Sequence, residues 1–484
     1  MLEASARFGG STAVSGGQVW APNNHLMAEA DSEDDALAYC QAAAPGREPE
    51  LVAKFVRSVP GVLRSLVGHS PVEFVSMPSY PDTFAELPYG RRARHVEVQP
   101  LTTGDLGALD QLVWPGPFAA PVLTNEEIVQ HGLFYGGPPP MDLITRRLAS
   151  GEIALGAGLV VGLMRGCQAA GVELIRDCRV QRLVRSDGRI VGVDTDRGRM
   201  PARRVVLATG GFEHDVPLRE GLLGGPLTHP ATPPVDHGFR LAAEVGAQLA
   251  RTNEHWAWPT LQVPGRTWPD GTPQAQLVMA ERNLPHVIWV NAAGRRFVNE
   301  SSHNCAAAFA ELDPNTHRPR NLPAWAVGDA QFRARYPVAG VLPGQPAPDW
   351  LPTADTLDEL AKLVGIDDSE LQRTVTRFNT GRDDDFHRGE TIYERAFGDP
   401  TAPHPNLGPV SEPPFFALPV HAGSVGTKGG PRTDDHARVL DWSGQPIPGL
   451  YAAGNAAAAV FGPGTIAGGT TVASALVWGW IAGS

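Results

Sequence analysis

Glycine-rich turns carry the residue types that could hold a large anionic ligand. Gly9-Gly10-Ser11-Thr12, with Ser15-Gly16-Gly17 close behind, offers backbone N–H groups unobstructed by Cβ atoms and three hydroxyls. Such a loop can wrap a pyrophosphate, because glycine permits close approach and positive φ. A Gly/Ser surface turn has the same composition. Ala208-Thr209-Gly210-Gly211 follows the apolar run RVVLAT, and ligands of open α/β sheets sit beyond the carboxyl ends of strands. Leu450-Tyr451-Ala452-Ala453-Gly454-Asn455 repeats that pattern. Three such loops in one chain point to a large nucleotide cofactor. Gly468-Gly469-Thr470-Thr471 then precedes a final apolar run, so free N–H groups and the positive end of a helix dipole face whatever lies in front. An anionic reduced flavin matches that field; an ordinary Thr-capped helix is the alternative.

The elements that must position these turns follow from periodicity. Gly158 to Gly171 reads as a helix, with Leu159, Val160, Leu163 and Met164 on one face. Strands are expected at Val172–Leu174, Arg179–Val184 and Ile190–Val193. Arg204 to Thr209 reads as a strand buried on both faces. Residues 252–415 are rich in Trp, Pro and Asn, with helices at Thr356–Val364 and Asp368–Asn379, and read as an inserted α+β domain. Short strands return at Ala437–Leu440 and Gly449–Ala452, and a helix closes the chain from about Thr471 to Ile481.

Composition bounds the function. The chain has 484 residues, 42 % hydrophobic, with a formal charge of −12. That excludes fibrous or disordered classes and argues against nucleic acid or an anionic membrane surface as partner. Cys40, Cys167, Cys178 and Cys305 form no CxxC pair, so no metal site is expected. No apolar run of membrane-spanning length and no secretory signal is present. The expected setting is cytoplasmic.

Taken in order, GGSTAVSGG (Gly9–Gly17), VVLATGGFE (Val205–Glu213), HGFRLAAEVGA (His237–Ala247), GRRFVNE (Gly294–Glu300), GTKGGPRTD (Gly426–Asp434) and IPGLYAAGN (Ile447–Asn455) resemble the FAD flavoproteins of the fumarate reductase/succinate dehydrogenase type, in their 3-ketosteroid dehydrogenase branch. DDDFHRG (Asp383–Gly389) and PNLGPVSEPPFFAL (Pro405–Leu418) are similar to that branch as well. The resemblance implies an α/β, Rossmann-like FAD-binding domain built from both chain ends (1–251 and 416–484), with an α+β substrate-binding cap (252–415) inserted between them. FAD would meet Gly9, Gly10, Ser11, Thr12, Ser15, Gly16 and Gly17 in the first loop. Ala208, Thr209, Gly210, Gly454 and Asn455 would meet it beyond the strands, Val180 at the adenine, and Thr470, Thr471 and Val472 at the flavin ring. Glu3 stands where the family binds ribose hydroxyls.

Two departures carry expectations of their own. The family opens with a strand, a GxGxxG turn and a helix that have no counterpart here; GAGLVVG (Gly156–Gly162) and GPGTIAG (Gly462–Gly468) are spaced differently. The expectation is a coding sequence that extends upstream by about 35–40 residues, the length of such a βαβ opening, with weak FAD retention otherwise. A paralogue without flavin is the alternative. The family's catalytic tyrosines also fall on other residues: one position is Asn304, beside His303, and another is Thr465, while Gly469 keeps the backbone N–H that polarises the substrate carbonyl. In the early Tyr-rich segment Tyr80 remains, followed by Thr83 and Phe84. A threonine hydroxyl is a poor general base, so His303, Tyr393 and His421 are the replacement candidates, with His303 expected to titrate near neutrality. A dicarboxylate reading would use Arg296, which could equally be structural.

The expected activity is dehydrogenation or reduction of a carbon–carbon bond next to a carbonyl, in a steroid-like or other apolar cyclic ketone, with an unidentified electron acceptor. Trp256, Trp258, Trp268 and Trp289 suit a flat apolar ligand, or else form the cap's core. An inactive paralogue and a fumarate reductase-like enzyme are the alternatives.

Overall fold

The computed structural model describes residues 1–45, 48–116, 121–234 and 238–484; His237 of the HGFRLAAEVGA segment lies outside them. The architecture is α/β with an inserted sheet-rich cap. Val205–Leu207 pairs in parallel with Pro446–Ala452, which pairs antiparallel with Arg438–Leu440. Two segments far apart in the chain therefore lie side by side, and their following turns emerge from the same sheet edge. A meander of Val180–Ser186, Arg189–Thr195 and Gly198–Pro201 stands next to them.

Several expected elements shift. The Gly158 helix begins earlier, spanning Leu155–Ala169, and Gly156 in its first turn packs so closely under Thr12 and Ser15 that no Cβ fits there. Val172–Leu174 is not a strand; the chain there makes only a parallel bridge, Leu2 to Ile175. RVVLAT is not buried on both faces. Val205–Leu207 has one paired neighbour among the described strands, and Val206 is 41 % exposed while Leu207 is buried. An apolar run alone does not report how many neighbours a strand has.

The closing helix, Thr470–Gly483, packs against the Pro49–His69 helix and the Val19–Trp20 strand. Trp20 anchors this core, stacked on Phe55 at 6.0 Å and edge-on to Phe461 at 6.2 Å. Its indole N–H donates to Asp82, which is itself paired with the buried Arg94.

The cap is built on a sheet in the order Pro273–Leu277, His255–Thr267, Phe415–Thr427, Ala324–Gly328, Val287–Asn291. Its central strand, Phe415–Thr427, runs across the boundary expected at 415/416 and delivers the chain directly into Lys428 and Gly429. Trp289, 1 % exposed, fills the core of this sheet against Phe309. The helices Leu357–Val364 and Asp368–Phe378 stand close to the expected bounds, each started by a side-chain cap, Thr356 and Asp367.

Candidate active site

The glycine turns converge on the closing helix. Gly469 caps it with φ 75°, and an added Cβ would stand 2.5 Å from the Gln18 carbonyl oxygen, so this turn and the strand entered at Val19 are in direct contact. Gly454 approaches the same helix one turn and more along, where its Cβ would lie 3.2 Å from that of Ala475. The N–H of Ala453 donates to the carbonyl of Leu207, which ties the third loop to the second. Thr209, just beyond, accepts the Gly238 N–H through its hydroxyl at 2.5 Å, and Asn455 accepts the indole N–H of Trp256 at 3.1 Å. Leu207 and Gly454 are thus linked to the closing helix that Gly469 starts, with Thr209 two residues beyond Leu207 and Asn455 next to Gly454.

The first loop is more ordered than a free cradle. Gly9 (φ 89°) starts a short helix, Gly10–Val14, that contains Ser11 and Thr12. Ser15 folds back, its hydroxyl donating to Thr12 O and accepting from Gly17 N, and Gly16 O accepts from the Asn125 amide. Gly17 (φ 67°) is pressed against Leu155 and Gly156, where a Cβ would sit 2.5 Å from backbone atoms. By contrast Gly10 and Gly210, both with positive φ, have open space where a Cβ would stand. Glu3 lies after the Leu2 bridge, its carboxylate accepting the Ser5 N–H at 2.9 Å; burial pushes its pKa up. Val180 opens its strand half-buried.

These residues fit FAD. Gly210, open and with positive φ, stands beyond a parallel strand, Gly10 is open at the start of the first-loop helix, and the 14-residue closing helix has no side-chain cap at its N-terminus. Thr470 directs its hydroxyl to Ala467 O rather than over the helix end, leaving the first turn to Thr471 and Val472.

Next to this turn stands a buried polar cluster. His303 Nδ1 and the Tyr393 hydroxyl lie 2.5 Å apart. Trp258 and His303 meet edge to face at 4.8 Å, and the Arg282 guanidinium lies 4.6 Å over the Trp258 ring. Tyr393 packs on Phe397 at 4.9 Å, and Phe397 on Tyr80 at 5.3 Å. Tyr80 is 5.9 Å from His95, which is close to the Gly468 turn. Burial, with the positive charge of Arg282, holds His303 down to about 3. His303 is therefore neutral at physiological pH, which corrects the expectation that it titrates near neutrality. Burial likewise pushes Tyr393 up to about 12, although Arg282 draws it down.

Asn304 and Thr465 meet across 161 residues: Thr465 N donates to Asn304 Oδ1 at 2.9 Å and Asn304 Nδ2 donates to Thr465 O at 3.4 Å. They clasp the turn that leads into Gly469. Lys428 braces the same turn, its buried ammonium donating to the carbonyls of Gly462, Pro463 and Gly464. Arg296 belongs elsewhere. It forms ion pairs with Glu300 at 2.7 Å and Asp383 at 2.6 Å and lies between the rings of Phe378 and Phe386, so it is structural and not a dicarboxylate ligand. His421 is also apart, stacked on His229 at 4.1 Å. Arg282 and His95 were not legible as site residues, since nothing in AERN or RHVEV distinguishes them from an ordinary helix and strand, and Gln18 directly after Gly17 was passed over. Among the described residues no cluster could hold a metal ion, and no helix is long and apolar enough to cross a membrane.

A helix N-terminus and glycine turns at parallel strand ends, roofed by a cap with a buried Tyr–His pair, define a nucleotide-cofactor enzyme of the α/β class. A family model described as FAD binding domain matches residues 1–472. The chain is 36 % identical to 4-oxocyclohexanecarboxylate 2-dehydrogenase of Sinomonas cyclohexanicum, covering 100 % of this chain and 87 % of that one. It is 33 % identical to 3-oxosteroid 1-dehydrogenase of Mycolicibacterium smegmatis, over 100 % of this chain and 91 % of that one. The crystal structure of 3-ketosteroid delta1-dehydrogenase from Sterolibacterium denitrificans, in complex with 1,4-androstadiene-3,17-dione, superposes with a TM-score of 0.89 at 31 % identity, covering 99 % and 93 % of the two chains. The protein belongs to this FAD-binding family, in its 3-ketosteroid dehydrogenase branch, and is an FAD-dependent oxidoreductase.

Proposed function

We propose that this protein dehydrogenates a carbon–carbon bond adjacent to the carbonyl of a cyclic ketone. The observation that carries this reading is the buried His303–Tyr393 pair, linked to the Gly468–Gly469 turn through His95 and through the Asn304–Thr465 clasp. A carbonyl held at the turn becomes polarised by backbone N–H groups at the positive end of the closing helix, which acidifies the neighbouring C–H. The Tyr393 oxygen takes that proton while its own passes toward Nδ1 of His303; because the buried imidazole is weakly basic, this transfer is coupled to the negative charge developing on the carbonyl oxygen and is reversed once the hydride has left. FAD, when bound at Gly469–Val472, supplies the acceptor for the hydride that leaves the adjacent carbon. The Asn304–Thr465 clasp and the Lys428 brace hold the turn in place and leave no phenol at either position. Proton removal here therefore rests on Tyr393, whose ring packs on Phe397 together with Tyr80.

Relatives named for a carboxylated cyclohexanone and for steroids frame the substrate class as a flat ketone ring. Four free cysteines, three of them buried, suit a reducing, cytoplasmic setting. The test is anaerobic: FAD-loaded protein is mixed with a panel of cyclohexanones and keto-steroids and the flavin absorbance is followed. Bleaching with at least one ring ketone is expected. Failure to bleach with any of them, in protein that holds FAD, rejects the reading.

A further inference from the structure

We infer that Arg282 holds a negatively charged substituent of the substrate, so that the ring ketone carries a carboxylate; this rests on the cyclic-ketone reading above. Arg282 lies on the short helix Ala280–Asn283 and is 1 % exposed. Nη2 donates to the carbonyls of Ser301 at 3.1 Å and Ser302 at 3.2 Å. Nε and Nη1 have no hydrogen-bond partner among the described residues, which leaves most of the guanidinium's five donors unmatched. The guanidinium also lies beside the Tyr393 hydroxyl and draws down its pKa, so a polar side chain stands next to it.

The other fully buried arginines show what is missing. Arg94 is paired with Asp31 and Asp82, each at 2.8 Å. Arg388 has Glu300 at 3.6 Å and donates to Ser301 Oγ and to the carbonyls of Val287 and Leu284. Arg282 has no carboxylate partner among the described residues; the neighbours facing it are Trp258, His303, Tyr393 and Cys305. A cation buried without a counter-ion is strongly disfavoured, and an arriving carboxylate relieves that cost. The surroundings favour this over a mobile counter-ion. Trp258 fixes the guanidinium plane, and the Ser301 and Ser302 carbonyls fix its rotation, so the unmatched donors are preorganised. A small cavity of about 10 Å³ opens beside the same helix, between Met279, Ala280, Asn283 and Phe397. Phe397 also packs on Tyr393 and Tyr80, and Tyr393 lies beside the guanidinium, so an anionic group at Arg282 stands next to the proton-removing pair.

The experiment uses FAD-loaded protein and three probes: 4-oxocyclohexanecarboxylate, its methyl ester and cyclohexanone. A hydrogen-bonded charge pair is worth about 10- to 100-fold in discrimination, so wild-type kcat/KM is expected to favour the acid over the ester by that factor. Arg282→Met should collapse the acid-to-ester ratio to near one, mainly through KM, and Arg282→Lys should recover part of it. Flavin absorbance and Tm confirm that the variants fold. Equal use of acid and ester by the wild type overturns the inference, as does a uniform loss on all three probes in Arg282→Met with the ratio unchanged. Binding of cyclohexanecarboxylate, which has no ketone, is read from perturbation of the flavin spectrum. If no ketone turns over but this ligand binds the wild type and not Arg282→Met, the carboxylate inference stands and the ketone reading falls; if neither occurs, both fall.

Discussion

A phenol bonded to a neutral imidazole can relay a proton that neither group handles well alone, and at this scale the Tyr393–His303 pair makes two predictions. Tyr393→Phe removes the relay and leaves the ring packed on Phe397. A positioned general base contributes about 100- to 10,000-fold, so kcat for flavin reduction should fall within that range while the bound-flavin spectrum is kept. An unchanged rate removes Tyr393 from the mechanism. The second prediction concerns pH. His303 is held down to about 3 in the folded protein, against an ordinary value of 6.5. Between those values the unfolded chain binds a proton that the folded chain refuses, so the stability of this group is whole above pH 6.5 and drains away as pH falls toward 3. His95, His255 and His421, held to about 4, act in the same direction, while Asp82, raised to about 6, opposes them. The drop in Tm on acidification should therefore be smaller in His303→Gln than in the wild type, and an equal drop would count against a buried neutral imidazole.

At the scale of elements, the glycine loops and the Arg296 cluster separate positions that shape the cofactor site from positions that hold the fold. Gly17 and Gly10 both have positive φ, but only Gly17 is pressed against backbone. Gly17→Ala should lower Tm strongly, because neither Leu155 nor Gly156 can retreat without moving a helix. Gly10→Ala should cost only the roughly 1–2 kcal/mol of left-handed strain and act instead on FAD affinity, measured by flavin release. In the cap, Arg296→Met takes the ion-pair partner from Asp383 and leaves Glu300 with Arg388 at 3.6 Å alone; breaking such a buried pair typically costs about 3–5 kcal/mol. The loops were legible because glycine at the end of an apolar run is a local signal, carried by five or six consecutive residues. The partners were not. His303 and Tyr393 are 90 residues apart, and Asn304 and Thr465 are 161 apart, so no window of periodicity contains either pair. Burial of a strand on both faces was misread for a related reason: the apolar character of Val205–Leu207 is local, but its neighbours come from the chain's other end.

On the scale of the whole molecule, one cofactor must couple segments that the chain order keeps apart. The first loop at Gly9–Gly17, the turn after Leu207 and the Gly454–Val472 segment meet at the closing helix, and the cap's central strand feeds Lys428 into the same turn. A ligand that binds only this assembled arrangement stabilises it by mass action, by about 2.7 kcal/mol at a hundredfold excess over Kd. Tm should therefore rise with added FAD. Gly469→Ala places a side chain 2.5 Å from the Gln18 carbonyl at a left-handed position, so it should abolish most of that rise by displacing the helix N-terminus. Arg296→Met should instead lower Tm with and without FAD while keeping the rise, because its ion pairs lie within the cap. Thermal scans of the three proteins across an FAD titration distinguish these outcomes. If Gly469→Ala gains as much from FAD as the wild type does, the closing helix is not where the flavin is held.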